Sequence, residues 1–193
     1  MASQIKVNEI IKQSGSSITI GESGDTISIP TGCTIANSGT ATGFSENMTP
    51  IFLATASTSQ SNLSDNTTTL RIFNSEIFDS NSAYDTSTGL FTVPTTGKYL
   101  INAGINLDGG GDSNSSEVTM SLSVNSDVDD NGATFLKFTS AVCNRWDANL
   151  TQVRTLTAND TVGVYGRMNT SGGVWHMYGG TNINYFGAFK IIE

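Results

Sequence analysis

The sequence predicts an all-β chain: a two-sheet jelly roll in the C-terminal part, preceded by a short β-repeat stem. Three observations predict this class. About ten short runs rich in β-branched and aromatic residues are separated by turn residues, and no amphipathic helical pattern interrupts them. Charged residues make up 13% and hydrophobic ones 37% of a chain crowded with Ser, Thr, Asn and Gly, which fits sheets with a polar, uncharged surface. At 193 residues the chain can bury one core and add one small module.

The elements follow in order. Residues 1–14 place Ile5, Val7, Ile10 and Ile11 among polar residues. Their spacing leaves helix and strand both open, but a terminus this apolar is expected to dock on trimer neighbours or on a larger assembly. Residues 15–43 read as a small β-repeat, with strands expected at 17–20, 26–29 and 34–36 and Gly15, Gly21, Gly24, Gly32 and Gly39 between them. One chain this short cannot bury both faces of such strands, so a core shared between chains is expected. Residues 1–45 are thus an anchoring stem, 46–193 a head, and 45–50 the hinge. Head strands are expected at 51–54, 69–74, 75–78, 90–93, 97–107, 117–124, 134–140, 150–156, 161–168 and 182–192. Asp108-Gly109-Gly110-Gly111-Asp112 and Asn131-Gly132 supply turns.

Charge excludes some partners. The net charge is −8, and the nine basic residues form no stripe. Nucleic-acid binding through phosphate neutralisation is therefore not expected, nor is docking on an anionic membrane. No segment has the length and apolarity to insert in a bilayer. The two cysteines, Cys33 and Cys143, are too few for a disulfide framework and read as free, mostly buried thiols of a protein made in a reducing cytoplasm. MASQIKVNEIIKQ lacks the apolar run of a signal peptide, so conventional secretion is not expected if Met1 is the natural start.

A gapped pattern carries more specific information. Phe73, Asp79, Tyr84, Phe91, Gly97 and Tyr99 stand in the spacing F-x5-D-x4-Y-x6-F-x5-G-x-Y. This set resembles the signature of the complement component 1q globular-head family, a relative of the tumour necrosis factor ligands. Asn184-Tyr185-Phe186-Gly187-Ala188-Phe189-Lys190-Ile191 resembles the last strand of that superfamily. The resemblance covers residues 50–193 and implies a homotrimeric jelly roll made for binding. It implies that Phe91, Tyr99, Phe186 and Phe189 lie in the core or at the threefold interface. Ile101 and Ala103 depart from the family's aromatics at those places but still suit an inward strand face. The glycine-punctuated stretch of residues 15–44 resembles neck segments of marine bacteriophage structural proteins.

Candidate ligand-contacting residues are Trp175, His176 and Tyr178, in a Gly-bounded aromatic loop, with Trp146 and Arg145 in a second loop. Trp and Tyr offer rigid contact area and stack on sugar faces, although packing against the core is the competing reading. Asp127-Val128-Asp129-Asp130-Asn131-Gly132 opens like a calcium loop, but Phe138 stands where the bidentate Glu belongs. A polar turn is the favoured reading. Asp127 and Asp129 are the residues for a weak calcium site, with Asp108 and Asp112 second, and no other cofactor is expected. One histidine, His176, and the absence of nucleophile, metalloprotease and phosphate-loop signatures argue against an enzyme.

The expectation is an intertwined homotrimeric bacteriophage virion protein: a fibre, spike or knob assembled in the host cytoplasm. Its stem would meet other virion proteins and its head a host surface polysaccharide or receptor. A mainly structural capsid fibre or decoration protein, and a free lectin-like secreted module, are the alternatives.

Overall fold

A computed structural model describes residues 10–11, 14–15, 17–34, 36, 38, 49–110, 115–128, 134–137, 144–171 and 173–191, the backbone alone for 134–137. The chain divides into two units, Met1–Phe44 and Ser45–Glu193.

Among the described residues of the first unit, no strand forms. The strands expected at 17–20 and 26–29 are therefore absent from the single chain, and Ile18, Ile20, Ile27 and Ile29 stay exposed. The cause is physical: a strand needs a paired edge, and this short segment supplies none for itself. Cys33 is exposed, which corrects its expected burial, while Cys143 lies outside the described residues.

The second unit contains fourteen antiparallel strands and no helix among the described residues. The front sheet runs β2 (Gln60–Ser64), β13 (Val174–Met177), β7 (Gly97–Asp108), β14 (Tyr185–Lys190), β1 (Ile51–Thr55) and β4 (Ser75–Asp79). The strand β11 (Arg145–Leu156) pairs with β7 along its full length. The back sheet runs β10 (Thr134–Lys137), β8 (Ser115–Val124), β12 (Thr161–Thr170), β6 (Leu90–Thr92) and β5 (Tyr84–Asp85), with β3 (Thr69–Leu70) on β12 and β9 (Asp127–Val128) on β8. The two sheets enclose one core, as expected of a jelly roll.

Period-two alternation builds that core. On β7, Tyr99, Ile101, Ala103, Ile105 and Leu107 point inward and are buried. Phe186 and Ala188 do the same on β14, and Val162, Val164 and Met168 on β12. At one end the filling is aromatic. Phe52 stacks on Tyr84 and Phe91 at centroid distances of 5.0 and 4.6 Å and meets Phe186 edge-on at 5.0 Å.

The signature residues are structural. Phe73, Tyr84, Phe91 and Tyr99 are all buried. The Tyr84 hydroxyl donates to Phe73 O at 3.0 Å and accepts from Phe73 N at 3.1 Å, tying two separate segments of the chain. Burial raises the Tyr84 pKa, because a phenolate would be desolvated there. Tyr99 donates to Thr95 O at 2.6 Å. Asp79 accepts from the backbone N–H groups of Asn81, Ala83 and Tyr84 at 3.0, 2.6 and 2.7 Å, closing the turn between β4 and β5. Asp79→Ala should therefore destabilise the head by about 3 kcal/mol, the sum of several charge-assisted bonds, measured by urea unfolding.

Candidate binding surface

The outward side chains of the front sheet form rows that the strand register defines. The first row is Val153, Leu100, Phe189 and Ile51. The second is Thr151, Asn102, Gly187, Leu53 and Phe78. Asn149, Gly104 and Tyr185 follow, then Asp147 with Asn106, and last Arg145, Asp108 and His176. From Leu100 to Asp108 the face thus grades from apolar to charged, and Lys98 stands exposed beyond the apolar rows. At about 3.3 Å per residue, Leu100 and Asp108 stand roughly 26 Å apart.

The apolar end is a shallow dish of about 180 Å³ lined by Ile51, Leu53, Phe78, Leu100 and Phe189, with Gly187 in its floor. A Cβ at Gly187 would come within 2.9 Å of Phe52 O and 3.2 Å of Leu53 Cδ1, so the glycine lets β1 and β14 lie this close. Phe78 is 43% and Val153 56% exposed.

The charged end gathers three of the expected contact residues. The Arg145 guanidinium lies 4.4 Å from the centroid of the Tyr178 ring, and the His176 ring stacks beside Tyr178 at 6.0 Å. Arg145 Nε donates to Asn106 Oδ1 at 3.1 Å and pairs with Asp108 Oδ2 at 3.4 Å. Asn106 Nδ2 in turn donates to Asp147. His176 Nδ1 accepts from the Asn62 N–H at 3.2 Å. The cluster offers cationic, aromatic, amide and carboxylate groups on one surface, a composition suited to polyhydroxylated ligands.

Both tryptophans follow the competing reading and pack against the core. Trp175 is fully buried and donates through Nε1 to Ser64 O at 2.8 Å, so it is a core residue and not a ligand contact. The supposed loop around it is the strand β13, which turns Trp175 and Met177 inward and His176 outward. Trp146 is half-buried against the core, on the inward face of β11. Asp108 has both oxygens engaged, one by Arg145 and one by Gly110 N at 2.8 Å, which removes it as a free calcium ligand. Asp127 is exposed on β9, whereas Asp129 and Asp112 lie outside the described residues. Among the described residues no three metal-ligating side chains converge.

Sequence reasoning missed Asn106, Asp108 and Asp147 as companions of Arg145. Their alternation along β7 and β11 was visible, but the register joining the two strands was not. It also missed Arg71. This side chain is fully buried and runs from the back sheet, where its N–H donates to Val164 O at 2.7 Å, into the front sheet. There it donates to Thr58 O, Met177 O, Tyr178 O and Gln60 Oε1 at 3.0, 3.2, 2.9 and 3.2 Å. All four acceptors are neutral, and burial lowers its pKa to about 10. The guanidinium stays protonated at neutral pH and clasps the carbonyl of Tyr178, whose ring carries the surface stack.

Comparison with solved structures agrees on the fold. The Eiger tumour necrosis factor of S. frugiperda superposes with a TM-score of 0.51 at 17% identity, covering 74% of this chain and 92% of that one. Murine APRIL at pH 5.0 superposes with a TM-score of 0.54 at 12% identity, covering 73% and 98%. The globular domain of the zebrafish complement 1qA protein matches at 16% identity and a TM-score of 0.48, covering 75% and 98%. The chain matches no protein-family model and no curated protein. The head thus has the jelly-roll fold of the tumour necrosis factor structures, the fold its signature implied.

Proposed function

We propose that the protein is a homotrimeric, non-enzymatic adhesion module of a bacteriophage particle. The observation that carries self-association is the dish on the front sheet. Phe189, Leu53, Leu100 and Phe78 form an apolar surface that water disfavours, with no charged side chain in its first two rows. The family resemblance implies the threefold symmetry. The charged end lies roughly 26 Å along β7 from the dish, so contact through the dish leaves Arg145, His176 and Tyr178 open. Three copies of a modest polar site gain avidity on a repetitive surface such as bacterial polysaccharide.

A jelly roll of a binding-protein type, joined to a separate N-terminal unit, supports the virion reading. In this account residues 1–45 anchor the trimer to other virion proteins and the head faces the host cell. Arg145→Ala and Tyr178→Ala should each weaken binding to host-cell polysaccharide about tenfold, the loss of one interaction of about 1.4 kcal/mol. Their melting temperatures should stay close to wild type, because the Arg145 side chain is 54% exposed and Asp108 keeps its bond from Gly110 N. Wild-type protein that retains no polysaccharide from any susceptible host would refute the adhesion role.

A further inference from the structure

The N-terminal unit contains two matched turns. Asp25 N donates to Glu22 O at 3.0 Å around Gly24, whose φ is 96°. Cys33 N donates to Pro30 O at 3.1 Å around Gly32, whose φ is 88°. A left-handed third residue closed by this bond defines a type II turn, which favours glycine there. Each turn follows an arm of the same alternating sequence, Ile18-Thr19-Ile20 and Ile27-Ser28-Ile29. In a strand, residues two apart share a face, so each arm, once paired, would present its two isoleucines on one side. These four side chains are 47, 64, 59 and 49% exposed, and the arms form no strand among the described residues.

We propose that residues 17–34 pair with the same segment of other copies of this chain, turning the two arms into strands of an interchain β-prism. Charge favours identical copies as the occupant. The only charged residues in the segment are Glu22 and Asp25, both in the first turn, where Asp25 Oδ2 accepts from Glu22 N at 2.8 Å. The arms are uncharged, so stacking copies brings no like charges together along them. Nor do they carry the lysine, proline or inward charge by which natural edges resist self-pairing. Two like arms in succession suit rotational assembly, because each arm of one copy can meet an arm of the next. The apolar faces and the backbone groups that lie outside any strand belong to the same residues, and one pairing event covers both.

The proposal rests on self-association but not on the dish of the head, and one experiment on the full chain separates them. Deuterium exchange of the amides of residues 26–29 is measured with the solution mass, for the wild type and for Ile20→Ser/Ile27→Ser. The expected result is a wild-type multimer whose arm amides exchange about a hundredfold slower than free-peptide amides. The double variant should exchange them at the free-peptide rate while the head amides keep their protection. Free-peptide exchange in a multimeric wild type overturns the stem pairing and leaves head association standing. A monomeric wild type overturns both.

Discussion

Arg71→Met should lower the stability of the head by about 3–5 kcal/mol, seen as a fall in the urea midpoint. The cost arises from what the guanidinium leaves behind. The carbonyls of Thr58, Met177 and Tyr178 and the Gln60 amide oxygen all lose a charged donor, the Met177 carbonyl in a buried site and the others in partly buried ones. Gln60 also accepts from Ile72 N at 2.9 Å and donates to Leu70 O at 2.9 Å, so the disturbance spreads to the β3 end of the back sheet. Arg71→Lys should recover only part of the loss, because an ammonium cannot spread its donors over four acceptors as the planar fork does. Equal urea midpoints for the wild type and Arg71→Met would mean that the clasp contributes nothing.

The second large effect separates fold from assembly within one strand. Phe186 points into the aromatic core and Phe189, three residues on, points into the dish. Phe186→Ala should cost about 3–5 kcal/mol by emptying a packed aromatic site. Phe189→Glu should leave the protomer fold intact and disfavour assembly, since it would bury an unpaired carboxylate between copies. In the Ile20→Ser/Ile27→Ser background, where the stem cannot contribute, the mass should fall from three chains to one. A Phe189→Glu protein that keeps its assembly in that background would move the interface away from the dish.

The legibility of the fold followed the strength of local patterns. Residues 97–107 and 161–168 alternate strongly, and β7 and β12 form there. The inward places of Ile101 and Ala103, and the split of β14 into two faces, were readable from period two alone. The gapped signature identified the jelly roll because its residues serve contacts between separate segments of that fold, such as Tyr84 with Phe73. β2 was illegible: Gln60–Ser64 has one apolar residue, Leu63, and takes its strand form from pairing with β13. β13 was hidden for the opposite reason, since its flanking glycines imitate a loop. The candidate site was half legible. Residue type pointed to Arg145, His176 and Tyr178, but burial depends on strand direction, which sent Trp175 inward. Arg71 gave no signal at all, because a buried arginine without a carboxylate has no sequence pattern.

The solution mass of the full chain by light scattering, across a range of concentrations, tests self-association most directly. A mass three times the 20.3 kDa of one chain, unchanged on dilution, is the predicted result. A mass of one chain at all concentrations would contradict both the interface assigned to the dish and the avidity on which adhesion depends.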